Sequence, residues 1–346
     1  MALVAALGSV DAVRWLMQRP LIDLLYRLAE RSGMAWQKKQ LNNLRASLNA
    51  QGRDTAVLDE AEAALLDARN VVTPAGEGRA LDFQAFRAVL GTELAAERWV
   101  TWAERHHVLV RGVDIGCRGC GASSWLPMAS MPPPVGCPGC GRLLPEPYGP
   151  RQVRFSYWMG EPLRRVLETD SLGHLLALHW FTKLFGRRGG LVGAHPGVTF
   201  TNRAAEEEAT TTIGEADALL LFTDGTLVPV EVKRTAAGVD DRAFDLMDRL
   251  SNALRAPFDV LAVSQPARQC PGLADSVPQP PGRPRLVVSD DQLLDPRPFW
   301  AVSSDPFGWE PRGEAADAGR DSDFIRALES SEPDHAWDPV LDTMLG

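Results

Sequence analysis

Much is missing from this 346-residue chain, and each absence narrows what it does. No apolar run reaches the roughly 20 residues that a membrane-crossing helix needs. Met1 to Leu7 is apolar, but Gly8-Ser9-Val10-Asp11 ends it, and no leader-peptide cleavage pattern follows. The expectation is a cytoplasmic protein with no membrane partner. No internal repeat is evident, so the chain is not read as a repeat array. Cysteine is scarce, with five in all, which gives little support to a disulfide-stapled scaffold. The length is enough for two or three domains, each burying a core.

A basic excess is also lacking, since the formal charge is −9. Residues 290–346, however, hold fourteen acids against four arginines, so the preceding 289 residues are close to neutral. Between Arg142 and Arg188 the bias reverses to eight basic residues against four acids, with Arg164-Arg165, Lys183 and Arg187-Arg188 among them. A local patch of this kind can steer a phosphate backbone even on an acidic protein, although solvated helix faces give the same composition.

Four of the five cysteines form two C-x-x-C pairs, Cys117-Arg-Gly-Cys120 and Cys137-Pro-Gly-Cys140, separated by 16 residues and each followed by glycine, Gly121 or Gly141. Such knuckles curl their amides toward the thiolates, and two of them close a tetrahedron around Zn2+. The arrangement resembles a zinc ribbon. Four sulfur ligands leave no open coordination position, so the expected ion is structural. Trp125, in the arm between the knuckles, offers a ring that stacks on a base or on a neighbouring domain. Cys270 is read as a free thiol, and His106-His107 as a surface pair at a helix end.

Before the ribbon, residues 1–110 are mainly helical by periodicity: Ala12 to Met17, Leu21 to Arg31, Gln37 to Leu48, Asp54 to Asp67, Phe83 to Leu90 and Glu93 to His106. Helices followed by Val108-Leu109-Val110-Arg111-Gly112 are compatible with a winged helix that presents Lys38-Lys39 and Arg45 to DNA, or with a plain helical scaffold. Residues 111–150 are the ribbon and its Pro-rich linker.

Beyond the linker, Ala216 to Phe222 and Leu227 to Lys233 read as strands around Asp224-Gly225. In the second strand Val228, Val230 and Val232 share one face, and Glu231 and Lys233 the other. The loop length decides where Asp217 points. A two-residue loop pairs it with Val232, away from Glu231. A three-residue loop with Gly225 in the left-handed position pairs it with Glu231 or Lys233, gathering three charges on one face. Two carboxylates so placed repel unless a divalent cation lies between them, and hard oxygen ligands suit Mg2+.

An Asp followed by a strand ending Glu231-Val232-Lys233 resembles the PD-(D/E)xK nuclease superfamily, most closely its Mrr and Holliday-junction-resolvase type, over about residues 155–290. The proline that the family often carries before the first acid is replaced by Ala216. The resemblance implies an α/β, restriction-endonuclease-like αββαβ core spanning 151–290. It implies Mg2+, with Mn2+ as a substitute, on Asp217, Glu231 and the Val232 carbonyl, and Lys233 holding the attacking water. The activity implied is phosphodiester hydrolysis, of DNA before RNA, in restriction, repair or phage defence. Glu215 is a spare carboxylate on the same strand. The family's third site residue lies on an early helix, where His174 and Glu168 are the candidates and His179 fits the face poorly. Asp240 to Leu254 has helical spacing and Phe258 to Val263 reads as a strand, which completes the order. Gln265 to Pro284 reads as a loop, Arg285 to Val288 as an edge strand, and 291–346 as an acidic tail that wraps its own surface, mimics phosphate or recruits a protein partner. The alternative function is a non-catalytic nucleic-acid-binding or scaffold subunit of a defence or repair complex.

Overall fold

The computed structural model describes residues 2–31, 80–131, 134–144, 153–186, 190–202, 211–295 and 314–330. Its helices are α1 (Ala2–Leu7), α2 (Arg19–Arg31), α3 (Phe83–Leu90), α4 (Glu93–Arg105), α5 (Glu161–Glu168), α6 (Leu172–Phe185), α7 (Asp241–Leu254) and α8 (Glu314–Ser330). Its strands are β1 (Leu81–Asp82), β2 (Leu109–Gly116), β3 (Ser123–Pro127), β4 (Phe155–Met159), β5 (Leu191–Asn202), β6 (Thr211–Phe222), β7 (Leu227–Lys233), β8 (Asp259–Val263) and β9 (Arg285–Ser289). The protein is therefore mixed α/β with two sheets and a four-cysteine cluster. Contacts divide it into two compact units, Met1–Arg19 with Thr169–Phe324, and Pro20–Glu168 with Ile325–Gly346.

This division differs from the four segments expected. The boundary near residue 150 falls instead after Glu168. Phe155–Met159 is a strand paired antiparallel to β2, with Tyr157 opposite Arg111. Its side chains alternate between faces, so Phe155 and Tyr157 share one side and Trp158 takes the other. The first 19 residues leave the N-terminal helical region and join the later unit. Lys38-Lys39 and Arg45, the proposed winged-helix contacts, lie outside the described residues.

In the unit built on residues 20–168, the antiparallel sheet runs β1-β4-β2-β3. Asp82 and Thr92 start α3 and α4 by accepting the amides of Ala85 at 3.0 Å and Ala95 at 3.2 Å. Gly91, at φ 76°, makes the sharp turn between them. Phe86 stacks on Trp99 at 5.5 Å and meets the Tyr157 ring edge-on at 5.8 Å. Phe86, Trp99 and Trp102 are fully buried, and replacing such a ring by alanine costs about 3–5 kcal/mol, so these rings anchor the unit. From α8, the carbonyls of Leu328 and Glu329 accept from Arg98 at 3.1 and 2.6 Å, and Leu328 is buried.

The other unit is a five-stranded sheet in the order β5-β6-β7-β8-β9, antiparallel as far as β7 and parallel from β7 to β9. Helix α6 is apolar almost all round and is buried accordingly. It meets the sheet through Gly173, where an added Cβ would stand 2.8 Å from Val232 Cγ1 and 2.3 Å from Ser264 Oγ. On the opposite face α7, started by the Asp240 side chain, packs Met247 against Leu261 and Val263. The far ends of β8 and β9 are clamped by Arg285, whose Nε donates to Asp259 Oδ1 at 2.7 Å, both groups being fully buried. Arg283 also donates to Asp259 at 3.0 Å and Asp248 also pairs with Arg285 at 2.7 Å, so neither charge depends on a single partner.

The expected tail begins inside this unit. Asp290 and Asp291 are buried in a single helical turn after β9. Asp290 pairs with Arg19, and the Arg320 guanidinium of α8 donates to the carbonyls of both acids at 3.3 and 3.2 Å. Trp15 meets Phe324 at 6.3 Å. Helix α8, the described part of the acidic segment, thus lies along its own chain.

Candidate functional site

The loop between β6 and β7 has three residues, Thr223-Asp224-Gly225. Phe222 N–H donates to Thr226 O at 2.9 Å, closing the loop, and Gly225 adopts φ 83°. Asp224 Oδ1 accepts Thr226 N–H at 2.9 Å, and this bond favours the longer turn. The ladder then runs from Leu221 opposite Leu227 to Ala218 opposite Val230. One residue further, that register would put Asp217 opposite Glu231, on the face that Lys233 shares. The regular pairing stops there, and the Asp217 carboxylate takes over from the backbone: its Oδ2 accepts Val232 N–H at 2.8 Å.

Lys233 Nζ is ion-paired to Glu231 Oε1. Burial pushes the Glu231 pKa up, and the charge of Asp217 adds to this against the counter-pull of Lys233. Burial works against the Lys233 ammonium, but Glu231, Asp217 and Asp240 outweigh it and hold the pKa above its usual value. The close approach at Gly173 brings His174 to the same place, with Nε2 3.7 Å from Asp217 Oδ1. Its pKa is lowered, first by burial and then by Lys233, against Asp217 and Glu215. Glu215 is exposed, two residues before Asp217 on the same strand.

Asp217, Glu231, Lys233, His174 and Glu215 therefore act electrostatically on one another. Among the described residues, however, only the four cysteines bring three or more ligand atoms within 4.8 Å of one another. The other two helical candidates lie elsewhere. Glu168 pairs with Arg164, and His179 is a core residue whose Nδ1–H meets Val10 O at 3.2 Å, with burial lowering its pKa to about 4. The sequence reading missed Gly173, whose role depends on a long-range approach, and Asp170, which pairs with Arg234 at 2.9 Å.

The cysteine cluster can hold a metal such as zinc. Cys117 and Cys140 Sγ are 3.7 Å apart, and Cys120 and Cys137 Sγ 3.6 Å. A tetrahedral ion with Zn–S bonds of about 2.3 Å requires sulfurs roughly 3.8 Å apart, so the set fits. The knuckles repeat bond for bond. Cys117 and Cys137 donate their amides to Ala122 O and Arg142 O, and Gly121 and Gly141 return theirs to Cys117 O and Cys137 O, all at 2.8 Å. Both glycines have φ above 70°. The Cys120 amide holds the Cys117 pKa below its ordinary value, while the neighbouring sulfurs outweigh the Ala122 amide and raise that of Cys120.

Trp125 does not offer a free ring. It is 8% exposed, stacks on Trp158 at 4.4 Å with a 4° interplanar angle, and donates from Nε1 to Ser156 Oγ at 2.9 Å. Gly112 makes room for it beneath, since a Cβ there would be 2.3 Å from the indole. Cys270 is a buried thiol that donates to Pro266 O at 3.3 Å. No described helix is long and apolar enough to cross a membrane.

No family model and no curated protein matches this chain. Among solved structures it is similar to the crystal structure of protein VC1899 from Vibrio cholerae, at 12% identity and a TM-score of 0.33 over 85% of this chain. The chain spans 58% of that protein's length. Likeness at this level carries no argument about fold or function.

Proposed function

We propose that this protein is a metal-dependent nuclease of the PD-(D/E)xK type, in which α6, β6, β7, α7 and β8 form the αββαβ core. One observation carries the reading: the three-residue turn sets a ladder from Leu221 opposite Leu227 to Ala218 opposite Val230, whose continuation would put Asp217 opposite Glu231 with Lys233 on the same face. Asp217 and Glu231 would hold Mg2+, or Mn2+ in its place, with the Val232 carbonyl as a further oxygen. The donor set suits a hard cation, and the upward shift of the Glu231 pKa beside Asp217 is the strain that a positive ion relieves. A bound divalent ion supplies Lewis acidity and a water of lowered pKa. Lys233 stays protonated in this environment and is placed to orient the attacking water and offset charge developing on the phosphorus-bound oxygens. His174 buttresses the Asp217 side. In the other unit the four thiolates take Zn2+ as a closed, structural ion. DNA is preferred over RNA on the resemblance alone.

A second reading, a non-catalytic nucleic-acid-binding or scaffold subunit, is favoured by one fact: both carboxylates already have partners, Val232 N–H and Lys233. Cleavage of plasmid and labelled oligonucleotides with Mg2+, repeated for Asp217→Ala and Lys233→Ala, separates the two. Cutting by the unaltered chain alone supports the enzyme. No cutting by any of the three, or equal cutting by all, removes it.

A further inference from the structure

The ribbon carries an asymmetry that its fold does not need. Its two knuckles are equivalent in backbone bonding but differ at two side chains: Arg118 in the first corresponds to Pro138 in the second, and Arg142 after the second corresponds to Ala122 after the first. Each post-knuckle residue lies over the glycine of the opposite knuckle. Ala122 Cβ is 3.1 Å from where a Cβ on Gly139 would be, and Arg142 Cδ and Nη1 are 3.3 and 3.2 Å from the equivalent point on Gly119. The result is that both cations gather on the first knuckle. They flank a cavity of about 220 Å3 lined also by Gly116, Cys117, Gly119, Leu143 and Leu144, with no carboxylate among its described lining residues. Leu143 is 65% exposed, the most open of the large apolar side chains among the described residues.

We propose that this cavity seats one phosphodiester of a nucleic-acid strand, with Arg118 and Arg142 donating to its non-bridging oxygens and Leu143 against the adjoining sugar. The inference rests on the reading of this protein as a nucleic-acid enzyme and adds a recognition site to it. Two guanidiniums on one phosphate give short, charge-assisted bonds with fixed geometry. A zinc ion on four thiolates leaves two negative charges, which the arginines also offset. The cavity therefore acts as a single seat and not as a long basic track, and the number of phosphates neutralised there is one.

The test is fluorescence anisotropy of labelled single-stranded and duplex oligonucleotides with the full-length Lys233→Ala chain, without added divalent ion, across a salt series. Adding Arg118→Gln and Arg142→Gln should weaken binding about tenfold and make the log-log salt slope shallower by about one, as loss of one phosphate contact requires. Arg87→Gln, an exposed charge on α3, should change neither. Affinity and slope equal to the Lys233→Ala parent would overturn the proposal. Zinc content is measured alongside. If the glutamine pair releases metal, Arg118→Gln alone, which leaves Arg142 on Gly119, must still weaken binding, and its failure to do so also overturns the seat. Adenosine monophosphate should not compete at equal phosphate concentration; equal competition would replace the strand with a mononucleotide and overturn the proposal as stated. Parent-like binding by the glutamine pair, together with Mg2+-dependent cutting by the otherwise unaltered chain, would remove the seat and leave the nuclease. A parent that binds no oligonucleotide removes both.

Discussion

The cysteine ribbon can hold a metal and the carboxylate hairpin is proposed to, yet they reach their geometry by opposite routes. In the ribbon each pair of ligands is three residues apart on one curled backbone, and four 2.8 Å amide bonds hold the curl. In the hairpin the groups come from two strands and a helix, and the carboxylates are partnered internally, Glu231 by the Lys233 ammonium and Asp217 by a backbone N–H. A closed set of soft ligands is suited to keeping an ion. An open set of hard ligands with an adjacent ammonium is suited to using one.

The sharpest way to break this contrast is to remove a thiolate. Cys137→Ser should abolish zinc binding, and since a structural zinc contributes on the order of 10 kcal/mol of folding free energy, the ribbon should become protease-sensitive. Metal analysis and limited proteolysis read this out; a metal-free ribbon that still resists protease would contradict it. Next in size, Lys233→Ala should lower Mg2+-dependent cleavage by about 10²–10³-fold, the range for removing one group that stabilises developing charge, while zinc content stays unchanged. Equal loss of both would mean that the two sites are not independent.

A smaller effect is expected at the helix contact. Gly173→Ala inserts a methyl 2.3 Å from Ser264 Oγ, and overpacking of this kind costs about 1–3 kcal/mol in a denaturant melt. It should also shift the His174 ring resonances, because the helix must retreat from Val232. An unchanged melt would show that α6 is not held at this point. The smallest effect concerns Glu231. Its folded pKa is raised, so its contribution to stability is complete below the unfolded value near 4.5 and is lost as pH rises through the higher folded value. Without divalent ion, Glu231→Gln should therefore flatten the fall in melting temperature above that pH, and a parallel pair of curves would refute the shift.

The same contrast explains what was legible in the amino-acid order. Ribbon ligands were readable because their spacing and following glycines are local. The alternation of β7 and the Asp224-Gly225 turn were readable for the same reason, but the loop length was not, since it depends on which amide Asp224 accepts. His174 was readable as a helical residue, yet its approach to Asp217 depends on Gly173 meeting a strand some 60 residues away in sequence. β4 was missed because five residues abutting a helical pattern are too few to declare a period, and because its partner β2 lies beyond the ribbon. Trp125 was open to several readings until Trp158 covered it. The division into units was missed because residues 1–19 return to pack on a distant part of the chain.

The account turns on whether the hairpin gathers a cation, and crystals soaked in Mn2+ address this directly. An anomalous difference map is expected to place an ion between the Asp217 and Glu231 carboxylates and the Val232 carbonyl, and to lose it in Asp217→Ala. A map with no peak at that position, from crystals in which Asp217 still faces Glu231, would contradict the central claim.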